Sequence, residues 1–452
     1  MLKIAQGRHP TIAFVALCLG FFMTILDVTI VNVALVNIKE HIGGGLNALQ
    51  WIIDGYALIF ASLLLTTGAL GDRIGNKRIF IAGLIMFTLS SILCGLAPTL
   101  WLLELGRIAQ GFGAALLVPA SLALINHTFP DAKKKASALG VYGAIGGFGA
   151  TIGPVLGGVL INIFGWRSIF LVNVPFGILC LLLTTFFITE SPTKKRGFDI
   201  PGQIAAIASL SLLTFSFIEG KGLGWHSPLI LSALILFIIA TMLFLMRELK
   251  TKMPMLPLSF FRNSTFSGAN AVGFLSFFTL YGYLFILSLF FQQVQHYSPL
   301  KTGMALLPGG IPLFIASLFT GKLAGKMGVK IPILIGILFG CLGYAGLGLV
   351  NEGTPYIFIA IAMATIGLFM AFTIPPITVA VVTNVKKEHS GIASSIYNVS
   401  RQVGSILGVA ILGSLIGSQG EFIQGMHIAF FIATAACLVS LFITSIWIKS
   451  KQ

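Results

Sequence analysis

Gly68-Ala-Leu-Gly-Asp-Arg-Ile-Gly-Asn-Lys77 aligns without a gap on Gly321-Lys-Leu-Ala-Gly-Lys-Met-Gly-Val-Lys330, 253 positions later (Gly68 to Gly321). At the same offset Lys133-Lys134 falls on Lys386-Lys387 and Ser137 on Ser390. Two basic loops in matching places predict two related six-helix bundles, a parallel repeat. Outward from these loops the chain is apolar in runs of about 20 residues, the length that crosses a bilayer as a helix. About fourteen such runs follow one another, from 12–36 through 390–417 to 425–448. The expected fold is an all-α polytopic membrane protein with fourteen spans. A six-helix bundle occupies 1–190 and a second 258–452, with a linker and two additional central helices in 191–257. Glu190-Ser-Pro-Thr-Lys-Lys-Arg-Gly-Phe-Asp-Ile-Pro201 is the only long polar stretch and marks the first boundary.

The composition agrees. The 452 residues are 56% hydrophobic and only 9% charged, against roughly a quarter charged in soluble domains, so lipid is the solvent. The net charge of +15 does not indicate nucleic acid, because the basic residues form short clusters between apolar runs rather than one face. Their placement sets an orientation. Of the 28 Lys and Arg, 22 fall in alternate loops and tails: Lys3 and Arg8, the 73–78 and 133–135 loops, 194–196, 247–262, 322–330, 386–387 and the 449–451 end. The opposite loops hold only Lys39, Arg167, Lys221 and Lys301, while Arg107 and Arg401 lie within spans. That bias places both termini in the cytoplasm of a multi-pass protein of the plasma (inner) membrane. The first apolar run is too long for a signal peptide and lacks a small-residue cleavage site. Cys18, Cys94, Cys180, Cys341 and Cys437 all sit in apolar runs and read as small hydrophobes. No cofactor is expected, and no metal: the seven His are scattered, with no His-Glu cluster on one helix face. An enzyme is therefore not expected.

Several stretches resemble the major facilitator superfamily, specifically its fourteen-span drug:proton antiporter branch, over essentially the whole chain. Gly68 to Arg78 resembles the signature loop between helices 2 and 3. Leu26-Asp-Val-Thr-Ile-Val-Asn-Val-Ala-Leu35 resembles the branch's first-helix motif, departing from it at Val36, where Pro is usual. Arg107-Ile-Ala-Gln-Gly-Phe-Gly-Ala-Ala115 resembles the fourth-helix motif. Gly149-Ala-Thr-Ile-Gly-Pro-Val-Leu-Gly-Gly158 resembles the antiporter motif of helix 5, and Trp166-Arg-Ser-Ile-Phe-Leu-Val-Asn-Val-Pro175 also fits the branch. The resemblance implies alternating access, with protons and a small lipophilic compound as partners, in a monomer within the bilayer.

Candidate residues follow from cost. Asp27 lies roughly 5 Å from the middle of helix 1 at 1.5 Å per residue. An ionised carboxylate there costs several kcal/mol, so it is paired, hydrated or protonated. Desolvation favours a neutral carboxyl and a bound cation favours an ionised one, so proton and cation can compete for it; the alternative is a fixed structural hydrogen bond. Asp54, nearer the outer end of helix 2, resembles the acid of members that export quaternary ammonium compounds; the alternative is an interfacial acid wetted from outside. Arg107 cannot shed its proton and needs an anion: Glu104 one turn away, or Asp54 or Asp27 across the bundle. The resemblance assigns Arg107 to proton coupling, and Asp72, Arg73 and Arg78 to a cytoplasmic gate latch. In the repeat Asp72 falls on Gly325, so the second copy lacks the acid. Gly149, Gly153 and Gly157 share one face of helix 5 and allow close helix approach, and Pro154 favours a bend; together they read as a packing and hinge element. The second half has no acid within a span, Glu352, Glu388 and Glu421 being at loops or helix ends. Phe278 and Tyr281 there share an aromatic helical face that suits a flat cation or plain packing, and Asn398 with Arg401 forms its polar group. These four are candidate cavity-lining residues. The expected function is proton-coupled export of lipophilic, cationic drugs. The alternatives are export of a specific metabolite, peptide-like molecule or single antibiotic, and a non-transporting membrane receptor.

Overall fold

With no water in the hydrocarbon to satisfy N–H and C=O groups, a chain that crosses repeatedly closes its hydrogen bonds within each pass, and the helix does this. The computed structural model describes residues 10–129, 131–193, 199–251, 254–385, 390–417 and 421–449, in which helices are joined by short loops with no strand among them. The basic residues at 3, 8, 194–196, 252, 386, 387 and 451, and Glu388, lie outside these. The helices are α1 (Pro10–Ile42), α2 (Leu46–Ile74), α3 (Asn76–Gly95), α4 (Leu100–Thr128), α5 (Ala132–Phe164), α6 (Ser168–Leu171), α7 (Asn173–Phe187), α8 (Ile200–Leu223) and α9 (Pro228–Lys250). They continue as α10 (Ser264–Leu289), α11 (Pro299–Ala305), α12 (Leu307–Met327), α13 (Lys330–Leu347), α14 (Tyr356–Thr383), α15 (Ser390–Leu407) and α16 (Phe422–Trp447). Starts are set by side-chain caps: Thr99 accepts from Leu102 N, Asp131 from Lys134 N, Ser227 from Ile230 N and Asn263 from Phe266 N.

Thirteen helical segments among the described residues are long and apolar enough to cross a membrane, α6–α7 and α11–α12 counting as one each. The fourteenth expected run is also helical, as α15 and the wider π turn Gly408–Leu412 that continues it. It falls short on apolarity because Asn398, Ser400, Arg401, Gln402 and Ser405 crowd its middle. The repeat is visible in the backbone. Gly75 (φ 110°) and Gly328 (φ 79°), at equivalent positions, each end the second helix of their half in a conformation that favours glycine.

Packing repeats as well. In the first half α1 packs on α4, α5 and α7, α3 on α4 and α7, and α2 on α4; in the second α10 packs on α14, α15 and α16, α13 on α14 and α16, and α12 on α14. The two sets meet through α5 against α11–α12 and α2 against α15. These contacts cluster toward the far face of the molecule, the one opposite the starts of α1 and α10. A Cβ at Gly158 would stand 2.6 Å from Leu300 Cα, one at Gly310 2.7 Å from Thr151 Cγ2, and one at Gly303 would collide with the Pro154 carbonyl. Thr151 Oγ1 donates to Gly310 O at 3.0 Å, and Gln50 Nε2 to Val409 O at 2.8 Å. Toward the near face Gly140, Gly143, Gly321 and Gly325 have open space where a side chain would be. The far side is closed.

The additional helices are central in sequence but peripheral in space. α8 packs on α2 and α9, and only 17% of the most apolar stretch of α9 is buried, the rest facing outward where lipid would lie. Polar contacts at both ends hold α8 to α2: Glu219 accepts from Asn47 Nδ2 and Trp51 Nε1, each at 2.9 Å, and Gln203 Nε2 donates to Ser62 O at 2.6 Å.

Candidate functional site

Asp27, Arg107, Gln110, Ser91 and Asn173 come together from four helices of the first half. Arg107 lies two α4 turns inside the Thr99 cap, on the face that packs against α1 and α2, and Gln110 is one turn further along that face. Asp27 is 0% exposed and its Oδ2 accepts a short, charged bond from Arg107 Nη1. Its Oδ1 accepts from Gln110 Nε2 at 3.1 Å and Asn173 Nδ2 at 2.9 Å. Arg107 also donates to Gln110 Oε1 and, through Nε, to Ile52 O, both at 2.8 Å, and its guanidinium lies 4.5 Å over the Tyr56 ring. Gln110 reaches on to Ser91 Oγ at 2.8 Å. Both charges are paired, and both Asp27 oxygens and the Arg107 Nε and Nη1 are bonded, which helps a buried ion pair offset its desolvation.

Of the three acids open to it, Arg107 takes Asp27 as its anion. One expectation is corrected: Asp27 does not stand open to a cation, because its carboxylate is filled by three donors in this conformation. The neighbouring cavity is bounded by Val28, Tyr56, Arg107, Tyr281, Gln402 and Ser405, among others, and not by Asp27. At about 10 Å3 it has room for about one water. It sits where the two halves meet, so Arg107 is the link between the sealed carboxylate and that interface.

Tyr281 lines this small cavity. Phe278 does not: it is buried, stacked on Phe274, with its backbone against Gly408 of α15's extension. Asn398 and Arg401 lie next to the lining on α15, bonded to each other through Arg401 Nη1 at 3.2 Å.

Asp54 is 0% exposed, which overturns the picture of an acid wetted from outside. Neither of its oxygens has a hydrogen-bond partner among the described residues, nor has Gln50 Oε1 one turn earlier. Glu219 pairs with Asn47 and Trp51 and Gln203 with Ser62, so the antiparallel register of α2 and α8 sets Asp54 at about the level of Thr214. Thr214 Oγ1 is likewise buried and unpartnered.

At the near-face turn, Asn76, Lys77 and Arg78 clasp the end of α7. Glu190 accepts the backbone N–H groups of Lys77 at 2.8 Å and Arg78 at 3.2 Å, with the Arg78 guanidinium 4.0 Å away. A Cβ on Gly75 would stand 2.5 Å from the Glu190 carboxyl carbon, so glycine is needed for the approach as well as the turn. Asp72, half-buried, and Arg73, exposed, end α2 beside this clasp. The Arg78 contact therefore lies within the first half. Gly153 and Gly157 press on Thr29 and Ile30 of α1 and Gly149 on Phe22, a packing face, and α5 runs unbroken through Pro154.

Gln110, Asn173 and Glu190 were not singled out from sequence. Gln110 had a readable signal, since it is one turn from Arg107 on the same face; Asn173 and Glu190 act across helices that sequence spacing does not bring together.

The model of the Major Facilitator Superfamily matches residues 17–409. The chain belongs to this superfamily. It is a multi-pass membrane transporter and not an enzyme. Among curated relatives, it is 36% identical over 437 residues to the methylenomycin A resistance protein of Bacillus subtilis, covering 95% of this chain and 94% of that one. It is 38% identical over 414 residues to the multidrug resistance protein Stp of Mycobacterium tuberculosis, covering 91% and 77%. A third relative, the drug efflux pump JefA of the same organism, is 34% identical over 403 residues, covering 88% and 79%. The crystal structure of a POT family transporter in complex with a thioalcohol conjugated peptide superposes with a TM-score of 0.75 at 16% identity, covering 99% of both chains. That likeness speaks to fold alone.

Proposed function

We propose that the chain is a proton-coupled exporter of small lipophilic drugs, working by alternating access in the plasma membrane with both termini in the cytoplasm. Relatives that carry drug resistance and efflux in their names support the export of drugs. The observation that carries proton coupling is Asp54. An unpartnered carboxylate in hydrocarbon costs several kcal/mol, so a proton or a cation has to accompany it. α2, which bears Asp54, also packs against α15 of the other half, so the carboxyl lies beside a contact that rearranges when the halves rock. Arg107 and Asp27 form the second element: a neutral pair whose arginine borders the interface, able to exchange partners when a proton arrives. With termini in the cytoplasm, the closed far face makes this the cytoplasm-facing state.

The expected preference for cations rested on Asp27 with Asp54 as helper; the Asp27 carboxylate is engaged, which leaves Asp54 to serve it. A narrow range has its own support, because several relatives are named for one compound: methylenomycin A, tetracenomycin C, riboflavin. Inside-out vesicles energised by a proton gradient test the proposal with a panel of cationic, neutral and anionic lipophilic compounds. Accumulation that collapses with nigericin is expected for at least one class; accumulation insensitive to the gradient would count against coupling.

A further inference from the structure

Arg401 is the second intramembrane arginine, and unlike Arg107 it has no carboxylate partner among the described residues. It lies eleven residues into α15, about 16 Å along the helix, near the midplane of a core about 30 Å thick. Its guanidinium sits 4.1 Å over the Phe277 ring and 5.6 Å from that of Tyr397, and Nη1 donates to Asn398. Nε is buried with no acceptor. Rings and an amide oxygen hold an arginine in place, but none carries the negative charge that would neutralise it. A guanidinium cannot become neutral. Among the described residues the spans of the second half offer no acid, and Asp27 is already taken by Arg107.

Beyond Asn398 the surroundings supply rings and neutral polar groups, and no negative charge. Phe277, under the Arg401 guanidinium, stacks on Tyr281 at 6.0 Å between centroids, and Tyr281 lines the interface cavity together with Tyr56 and Arg107. Tyr56 is 1% exposed, borders the interface cavity, and its hydroxyl has no partner. So Arg107, Tyr56, Tyr281 and Arg401 form a line across the meeting of the two halves, with one uncompensated positive charge and an unused hydroxyl.

We propose that this line is the cargo's polar subsite, and that it takes an organic acid: a lipophilic compound whose carboxylate or enolate is received by Arg401 with the Tyr56 hydroxyl, its flat part lying against Phe277 and Tyr281. The proposal rests on the exporter reading and reverses the charge of the expected cargo. The cavity seen here holds about one water, and Arg401 beside it is only part-buried.

The test uses three probes of one shape: 1-naphthoate, methyl 1-naphthoate and 1-naphthyltrimethylammonium. Binding to the purified full chain in detergent is read by tryptophan quenching, and gradient-driven uptake by inside-out vesicles. The wild type is expected to bind the acid at least tenfold tighter than the ester and to bind the cation worst. Arg401→Gln should remove the acid's advantage and leave ester affinity within about twofold, and Arg401→Lys should keep part of it. Retained ester binding shows that Arg401→Gln has folded. Equal affinity for acid and ester, tightest binding of the cation, or an acid preference untouched by Arg401→Gln would overturn the subsite. Uptake of the ester or cation without acid preference would overturn it while leaving the exporter reading intact. Acid binding that depends on Arg401, with no gradient-driven uptake of any probe, would sink the exporter reading and not the anion site.

Discussion

Asp27→Asn keeps the shape of the side chain and removes its charge, leaving Arg107, 1% exposed, without an anion. Breaking one side of a buried ion pair costs about 3–5 kcal/mol, because the surviving charge stays desolvated. The asparagine can still face Asn173 and Gln110, so its remaining bonds set the loss nearer the lower end of that range. Arg107→Gln strands the carboxylate instead and should cost as much. The double variant Asp27→Asn/Arg107→Gln leaves amides where charges stood, and should recover about 3 kcal/mol of the summed single losses, the upper end of the range for directly contacting residues. Unfolding free energies are measurable in mixed micelles by steric trapping, with biotin tags at the ends of two helices of the first half. An Asp27→Asn loss below about 1 kcal/mol, the value of an exposed pair, or strict additivity in the cycle, would refute the sealed-pair account.

Two further outcomes follow from contacts rather than charge. Gly303→Ala places a methyl group against the Pro154 carbonyl, so it should disfavour the closed far face; a cysteine introduced by Val155→Cys should then react several-fold faster with an impermeant maleimide added outside whole cells, and an unchanged rate would oppose the close approach of α5 and α11. Glu190→Gln removes the anion at the start of α3, worth about 1 kcal/mol as a helix-end contact; amide hydrogen exchange at Lys77 and Arg78 should quicken several-fold, with exchange in the middle of α3 unaltered.

The architecture was legible because its signals are one-dimensional. Run lengths gave the passes, the basic loops their alternation, and the 253-residue offset (Gly68 to Gly321) the duplication, whose two glycines at Gly75 and Gly328 share a left-handed conformation. The polar contacts were less legible, for a physical reason. A soluble helix shows its buried face by periodicity, whereas a helix apolar all round does not say which way it is turned. Whether Arg107 met Glu104, Asp54 or Asp27 therefore depended on helix rotations that spacing leaves open, and the structure chose the most distant in sequence of the three. Phe278 failed for the same cause: it shares a face with Tyr281 by count, but Gly404 and Gly408 let α15 press against the backbone on that side. Asp54 stood open between a coupling carboxyl and an interfacial acid, because its position along the helix fits either; its burial, and the docking of α8 on α2 beside it, are invisible in any local pattern.

Proton release from proteoliposomes loaded with a pH-sensitive dye, on adding each compound of the cationic, neutral and anionic panel, measures the coupling directly. The wild type should move protons against the exported compound, and Asp54→Asn should bind that compound with affinity within a few-fold while proton movement disappears. Undiminished proton exchange in Asp54→Asn would contradict the assignment of the carrier carboxyl, and compound movement with no proton countermovement in the wild type would contradict coupling altogether.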